Sequence, residues 1–187
     1  MIKINKSIFA AIVGVLATAL IMSLLFNWFG SAENTRQYGE CIGNMQIALS
    51  NARTELRKAA DSETDSAEAV AALHEARNLL TKADAYYYTA YAYVGGVYRS
   101  VDMDFERIGN YLINNSQAGN LSFAGIAADG RISEKERLFL TRLENDLWTF
   151  YGSSAGGRKD QNAAFEAFWQ GWRLTSSDSP FMLLKSE

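Results

Sequence analysis

A run near the N-terminus that contains no charged residue limits the folds open to this chain more than any other part of the sequence. It extends from Ser7 to Ala32, and its first part reads SIFAAIVGVLATALIMSLLF. The hydrocarbon core of a bilayer is about 30 Å thick, and a helix needs roughly 20 apolar residues to cross it. A lone spanning segment must satisfy its own backbone hydrogen bonds, which only a helix does. We therefore predict a transmembrane helix over residues 7–29 that binds the lipid bilayer.

The charges that flank this run predict its orientation. Lys3 and Lys6 precede it, Glu33 follows it, and Trp28 lies at its far end, where aromatic rings favour the membrane interface. Positive charge before the helix predicts an N-terminus in the cytoplasm and a single-pass topology. The predicted parts of the chain are a cytoplasmic stub (1–6), the transmembrane anchor (7–29), an extracytoplasmic helical domain (33–174) and a C-terminal tail (175–187).

A cleaved signal peptide is the alternative interpretation of the same run. Gly30, Ser31 and Ala32 form a small-residue sequence of the kind that signal peptidases accept. The apolar region of such peptides is usually about 7–15 residues long, however, and this run is longer. Its length favours an uncleaved anchor, and a mature N-terminus at Glu33 would contradict that prediction.

The composition of the remaining residues excludes several classes of protein. Two of the 18 basic residues precede the anchor and all 21 acidic residues follow it, which leaves the outer part with a net charge of about −5. This charge argues against nucleic acid as a partner. The single cysteine, Cys41, cannot form an intramolecular disulfide, and the single proline, Pro180, favours a helical architecture.

Two long apolar seams follow the anchor, each with alternating spacings of four and three residues. The first comprises Tyr38, Ile42, Met45, Leu49, Ala52, Leu56 and Ala59. The second comprises Ala69, Leu73, Ala76, Leu80, Ala83, Tyr87, Ala90, Val94 and Val97. This period predicts two amphipathic helices, and the short polar segment between them predicts an antiparallel hairpin. Neither seam can be buried by its own helix, so further helices or a partner must cover both.

Three shorter helices are predicted to complete an all-α bundle on this hairpin. We place them at residues 102–114, 133–151 and 160–174, with a loop at 115–125 and no strands. The predicted apolar face of the second comprises Leu138, Thr141, Leu147, Trp148 and Tyr151. That of the third comprises Phe165, Phe168, Trp169 and Trp172.

The segment from Asp129 to Glu136 resembles the second half of an EF-hand calcium loop. Asp129, Ser133 and Glu136 fall at ligand positions, but Gly125 and Ala127 stand where the first two carboxylates belong. About ten residues of the same string also resemble the acidic turn of tellurite-resistance helical domains. The favoured interpretation is a capping box, in which Ser133 and Glu136 satisfy backbone N–H groups at a helix start.

No other group of residues suggests catalytic chemistry. His74 is the single histidine, and a nucleophilic pair with Cys41 would lack an orienting group. Asp102, Asp104 and Glu106 fit the start of a helix, where negative charge complements the helix dipole. Phosphate loops, nucleophile elbows and HExxH motifs are absent from the sequence. We therefore predict a protein that is not an enzyme and takes no cofactor.

Aromatic residues are the best candidates for an interaction surface, since Tyr and Trp are enriched at interfaces. The candidates are Tyr86, Tyr88, Tyr91, Tyr93, Trp169 and Trp172. Our leading hypothesis is a non-enzymatic structural or protein-interaction module of the cell envelope, with a membrane or envelope protein as partner and self-association left open. The alternative is a ligand-sensing helical bundle, which would signal through a membrane partner because the stub is too short for an output domain.

Overall fold

The computed structural model describes residues 6–61, 67–93, 104–114, 116–118, 121–123, 125–126, 131–154, 158–173 and 179–184. These residues form five α-helices, one short β-hairpin and a 3₁₀ helix. The elements are α1 (Lys6–Asp61), α2 (Ala67–Tyr93), α3 (Phe105–Ile113), β1 (Ser116–Ala118), β2 (Leu121–Phe123), α4 (Glu134–Ser153), α5 (Arg158–Gly171) and the 3₁₀ helix Pro180–Leu183.

Helix α1 joins the apolar run and the first seam into one element of 56 residues. At 1.5 Å per residue it is roughly 84 Å long. Among the described residues it is the one helix long and apolar enough to cross a membrane, and its apolar stretch has a mean hydropathy of 1.8 with no residue buried. This length and composition are those of a membrane span or a signal anchor. The predicted boundary between anchor and domain is therefore not a break in the backbone.

Helices α1 and α2 pack along the two predicted seams. All seven seam residues of α1 are buried, as are the alanines and leucines of the α2 seam. Tyr38 and Tyr91 lie at the same level, because their hydroxyls donate hydrogen bonds to the neighbouring α5 residues Gln161 and Asn162. Asp61 ends α1 and Ala67 begins α2, so these ends also lie close together, and the two helices run in opposite directions. The predicted packing of the two seams against each other is confirmed, while Val94 and Val97 lie outside the described residues.

The rest of the core contains a cluster of aromatic rings from α3, α4, α5 and the 3₁₀ helix, packed with aliphatic side chains such as Ile108 and Leu143. Phe105 of α3 is fully buried, with its ring centroid 4.9 Å from Trp169 and 5.9 Å from Phe150. Phe181 is also fully buried, and its ring lies 5.5 Å from Trp172. The sequence pattern predicts a tail outside the domain at this point. The burial of Phe181 shows instead that the core extends into the C-terminal segment.

The shorter elements differ from the prediction mainly at their ends. Helix α3 begins at Phe105, whereas the predicted start is Asp102. Its N-cap is Asp104, whose carboxylate accepts a hydrogen bond from the backbone N–H of Arg107 at 2.7 Å. The antiparallel pair β1–β2 was missed, because three-residue strands are too short to show an alternating pattern. The sequence Gly119-Asn120 between them is a dipeptide that favours two-residue hairpins, and it was the available signal.

Candidate interaction surface on α1 and α4

Helix α4 carries two apolar stripes, and the structure buries the one that we did not predict. The buried residues are Phe139, Leu140, Leu143, Leu147 and Phe150. Of the predicted face, Leu147 is buried, but Leu138, Thr141, Trp148 and Tyr151 are exposed. The predicted face was therefore wrong. Both stripes have helical spacing and lie roughly 130° apart around the helix, so periodicity could not rank them.

The exposed stripe contains two stacked aromatic rings. The rings of Trp148 and Tyr151 are 5.8 Å apart between centroids and within 10° of parallel, and the two residues are 52% and 37% exposed. The guanidinium of Arg53 on α1 lies 4.3 Å from the centroid of the Trp148 ring, which is a cation–π contact. We call Arg53, Trp148 and Tyr151 the Trp148 platform. Tryptophan, tyrosine and arginine are the residue types enriched in binding hot spots.

Polar side chains also hold α4 in place on α1, at three points along the contact. Gln46 donates to the Ser154 carbonyl at 3.1 Å near one end of the contact, and Arg137 donates to the carbonyl oxygen of Ala60 near the other. Between them the Arg53 Nε atom lies 2.5 Å from the Glu144 carboxylate, in a pair that is largely shielded from solvent. The platform is therefore built on two helices of fixed relative position. A preorganised surface loses less entropy when it binds.

A polar groove of about 360 Å³ runs beside the platform between the same two helices. Thr141 and Asn145 line its α4 side, and Arg57 and Asp61 line its α1 side. Arg57 and Asp61 are both highly exposed and 3.7 Å apart, a separation at which a surface pair contributes little. Their charges are therefore available to a partner, and the groove supplies donors and acceptors next to an aromatic hot-spot candidate.

The six aromatic residues predicted as interaction candidates separate into exposed and buried groups. Tyr88 is 59% exposed and Tyr86 is 38% exposed. Tyr91 and Tyr93 are partly buried, Tyr91 in an edge-on contact with Tyr87. Trp169 and Trp172 are core residues, with exposures of 6% and 0%, so their side chains belong to the packing of the domain. Aromatic content alone did not separate these groups, because each stripe has helical spacing.

The structure supports the capping-box interpretation of Ser133 and Glu136. The backbone N–H of Ser133 donates to the Glu136 carboxylate at 2.6 Å, and the backbone N–H of Glu136 donates to the Ser133 hydroxyl at 3.3 Å. Asp129, the third calcium candidate, lies outside the described residues. Within the described ranges no group of three or more His, Cys, Asp or Glu side chains is placed to hold a metal ion.

The two residues considered for a nucleophilic pair lie far apart. With Tyr38 level with Tyr91, the antiparallel register places His74 roughly 20 Å along the hairpin from Cys41. Burial raises the pKa of the Cys41 thiol, and the nearby Glu40 carboxylate raises it further. A raised pKa disfavours the thiolate, which is the reactive form.

An acidic cluster at the junction of α2 and α3 was only partly foreseen. Asp104 is the N-cap of α3 rather than a residue of its predicted first turn, and Glu106 lies in the first turn as predicted. The half-buried Asp84 of α2, which the sequence did not single out, faces this helix start. Burial, followed by the charges of Asp104 and Glu106, raises the pKa of Asp84 to about 6, against a hydrogen bond from the Phe105 backbone that lowers it. Its Oδ1 atom is buried without a hydrogen-bond partner in the described part of the chain.

No protein-family model matches the sequence, and comparison with curated proteins and with solved structures gives no significant match.

Proposed function

We propose that this protein is a membrane-anchored, non-enzymatic interaction module whose helical domain lies outside the cytoplasm and binds an envelope or membrane protein. The observation that carries the proposal is the continuity of α1, in which the apolar run and the core seam belong to one helix. From Val13 onward, the described side chains of the apolar half are exposed, Leu16, Phe26 and Trp28 among them. A bilayer would remove this surface from water, which is favourable at about 25 cal/mol per Å².

Between the apolar run and the core lies an exposed stalk, residues 30–37, which local contacts stiffen. Arg36 forms ion pairs with Glu33 at 2.6 Å and with Glu40 at 2.5 Å. Gln37 also donates to the Glu33 carboxylate at 2.7 Å. The hydrogen bond from Arg36 is the main reason that the pKa of Glu33 falls to about 2. Pairs at these spacings stabilise a helix that has no tertiary packing.

The helical rise gives the distance of each candidate surface, along the axis of α1, from the proposed end of the anchor at Phe29. Tyr91, which lies level with Tyr38, is then roughly 14 Å above it, and Tyr88 is about one turn higher. Arg53, and with it the Trp148 platform, is roughly 36 Å above it. The headgroup region of one leaflet is only about 5–8 Å thick. These heights favour a protein rather than lipid as the partner of the platform.

Three experiments test the anchor. Alkaline extraction of membranes should leave the protein in the pellet, and a protease added outside the cytoplasmic membrane should digest the helical domain. N-terminal sequencing of the mature chain should begin at or next to Met1. A start at Glu33, or release of the protein by alkali, would contradict the anchor without affecting the fold of the remaining helices.

The binding role is tested by purification of the full tagged chain from native membranes in a gentle detergent. We expect a stoichiometric partner that is lost in the variant W148A and retained in the control H74A, since His74 is exposed on α2, a helix that contributes no residue to the platform. A partner that survives W148A would contradict the assignment of the platform. A chain that is monomeric and without a partner in its own membrane would contradict the proposed function.

A ligand-sensing bundle that signals through a membrane partner is the second candidate. The observation that favours it is a cleft of about 170 Å³ between α4 and α5. Because α1 is continuous, a change in bundle packing on ligand binding would reach the anchor without passing through a flexible linker. A ligand-dependent change in the partner interaction, absent from variants in which the cleft is filled, would favour this candidate over a static module.

A further inference from the structure

The cleft between α4 and α5 lies on the flank of α4 opposite the Trp148 platform. It exists because α5 presents small residues toward it: Ala164, Ala167 and Gly171 line its α5 side at spacings of three and four. A larger side chain at any of these positions would fill the space. The cleft volume, about 170 Å³, is close to the roughly 150 Å³ of a cavity that holds one benzene ring.

Aromatic rings form the inner wall of the cleft. The rings of Phe168 and Trp172 are stacked, 5.9 Å apart and within 14° of parallel. The Phe150 ring meets Phe168 edge-on at 5.6 Å. A flat apolar ligand would find both stacking and edge contacts here, and such pairs are worth about 0.5–1.5 kcal/mol beyond the burial of area.

A carboxylate lies at one end of this aromatic wall. The Oδ2 atom of Asp146 accepts hydrogen bonds from Arg142 Nε at 2.8 Å and from the Trp172 indole N–H at 3.1 Å. Its Oδ1 atom makes no hydrogen bond within the described residues and can accept one. The charge of Asp146 is already balanced by Arg142, which favours a neutral donor, such as a hydroxyl, over a cation.

We propose that the α4–α5 cleft binds a single phenolic ring, which packs against Phe168 and Trp172 and donates its hydroxyl to Asp146. This binding would be independent of the Trp148 platform, so it can succeed or fail separately from the proposed function. A ligand of about eight non-hydrogen atoms in a partly open cleft is expected to bind with a Kd on the order of 1 mM.

The test uses the full chain in lipid nanodiscs and p-cresol as the probe, with the indole N–H resonances followed by NMR. The Trp172 resonance, assigned with the variant W172F, should shift saturably, and toluene, which lacks the hydroxyl, should bind at least tenfold more weakly. The phenolic ring could belong to a tyrosine of a partner protein or to a free molecule, and N-acetyltyrosinamide distinguishes these sources. Tighter binding than that of p-cresol identifies a tyrosine side chain as the natural ligand, and weaker binding identifies a free phenol.

Glycine variants provide matched controls. Gly171 and Gly152 are both exposed helical glycines with open space around an added Cβ, but only Gly171 lines the cleft. G171L should raise the Kd at least tenfold, as should A167L, while G152L should leave it unchanged. Binding that persists in both cleft variants, equal affinity for toluene, or no saturable shift of Trp172 would overturn the proposal.

Discussion

In the N-terminal half of α1, the described side chains up to Arg36 are exposed, whereas in the C-terminal half every third or fourth side chain is buried. One helix is therefore maintained by different forces along its length. Lipid would cover the first part, ion pairs of Arg36 support the stalk, and packing against α2 and α4 supports the remainder. A helix can thus extend through surroundings as different as these where each segment has its own source of stability.

The largest expected contrast is between two leucine truncations, one in each half of α1. L56A removes a fully buried side chain from the hairpin seam and should destabilise the helical domain by about 2–5 kcal/mol. L20A, on the exposed apolar half, should leave the unfolding of that domain unchanged. Thermal unfolding of both variants in nanodiscs, followed by near-UV circular dichroism, measures the contrast, and equal effects would remove the distinction between the halves.

A smaller effect is expected where α1 meets α4. R53A removes a largely shielded ion pair with Glu144 and the cation–π contact with Trp148, and it should cost about 1–2 kcal/mol. R57A, one turn further along the same helix, removes only an exposed pair with Asp61 and should cost less than about 0.5 kcal/mol. Chemical denaturation of the two variants side by side checks the difference; similar midpoints would contradict the role assigned to Arg53.

Asp84, on the helix that covers the C-terminal half of α1, should give a pH-dependent effect. Its pKa is about 6 in the folded protein, against an ordinary value of 3.8, so the folded state binds more protons and stability falls as pH rises from about 4 to 6. D84N lacks this fall and should be more stable by about 1 kcal/mol at pH 7, after allowance for solvent screening, with no gain near pH 4. A gain equal at both pH values would refute the prediction.

The smallest effect on stability is expected in the stalk. R36A removes the hydrogen bond that lowers the pKa of Glu33, so this pKa should rise from about 2 toward 4.5. The free energy of unfolding of the helical domain should stay unchanged. Carboxyl ¹³C chemical shifts of Glu33 against pH measure the first effect. A Glu33 pKa that remains near 2 in R36A would show that Gln37 alone is sufficient.

The long helices could be predicted from the sequence because their seams are long. Seven residues with a consistent spacing leave one face for α1, and every one of them is buried. The α4 face could not be predicted in the same way. Leu140 and Trp148 belong to two stripes of equal periodicity, and the positions of the neighbouring elements, chiefly α1, α5 and the 3₁₀ helix, decide which stripe faces the core.

For the candidate surfaces, the sequence indicated suitable residue types but not which of those side chains are exposed. The aromatic candidates included Tyr88, which is exposed, and Trp172, which is buried, because composition reports the presence of a ring and not its neighbours. The spacing of Trp148 predicts a core position, and the structure exposes it. Asp84 and the α4–α5 cleft depend on contacts between segments that are distant in sequence, and no local pattern contains that information.

The continuity of α1 also relates the Trp148 platform to the faces of the apolar half. Successive residues of an α-helix turn by 100°, so an unbroken helix sets the angle between the platform and each face of the proposed anchor. One residue added to the stalk would turn the platform by about 100° relative to the anchor, whereas seven would restore it to within about 20° and move it roughly 10 Å along the axis. A neighbour bound to one face of the proposed anchor would therefore meet the platform at a set angle.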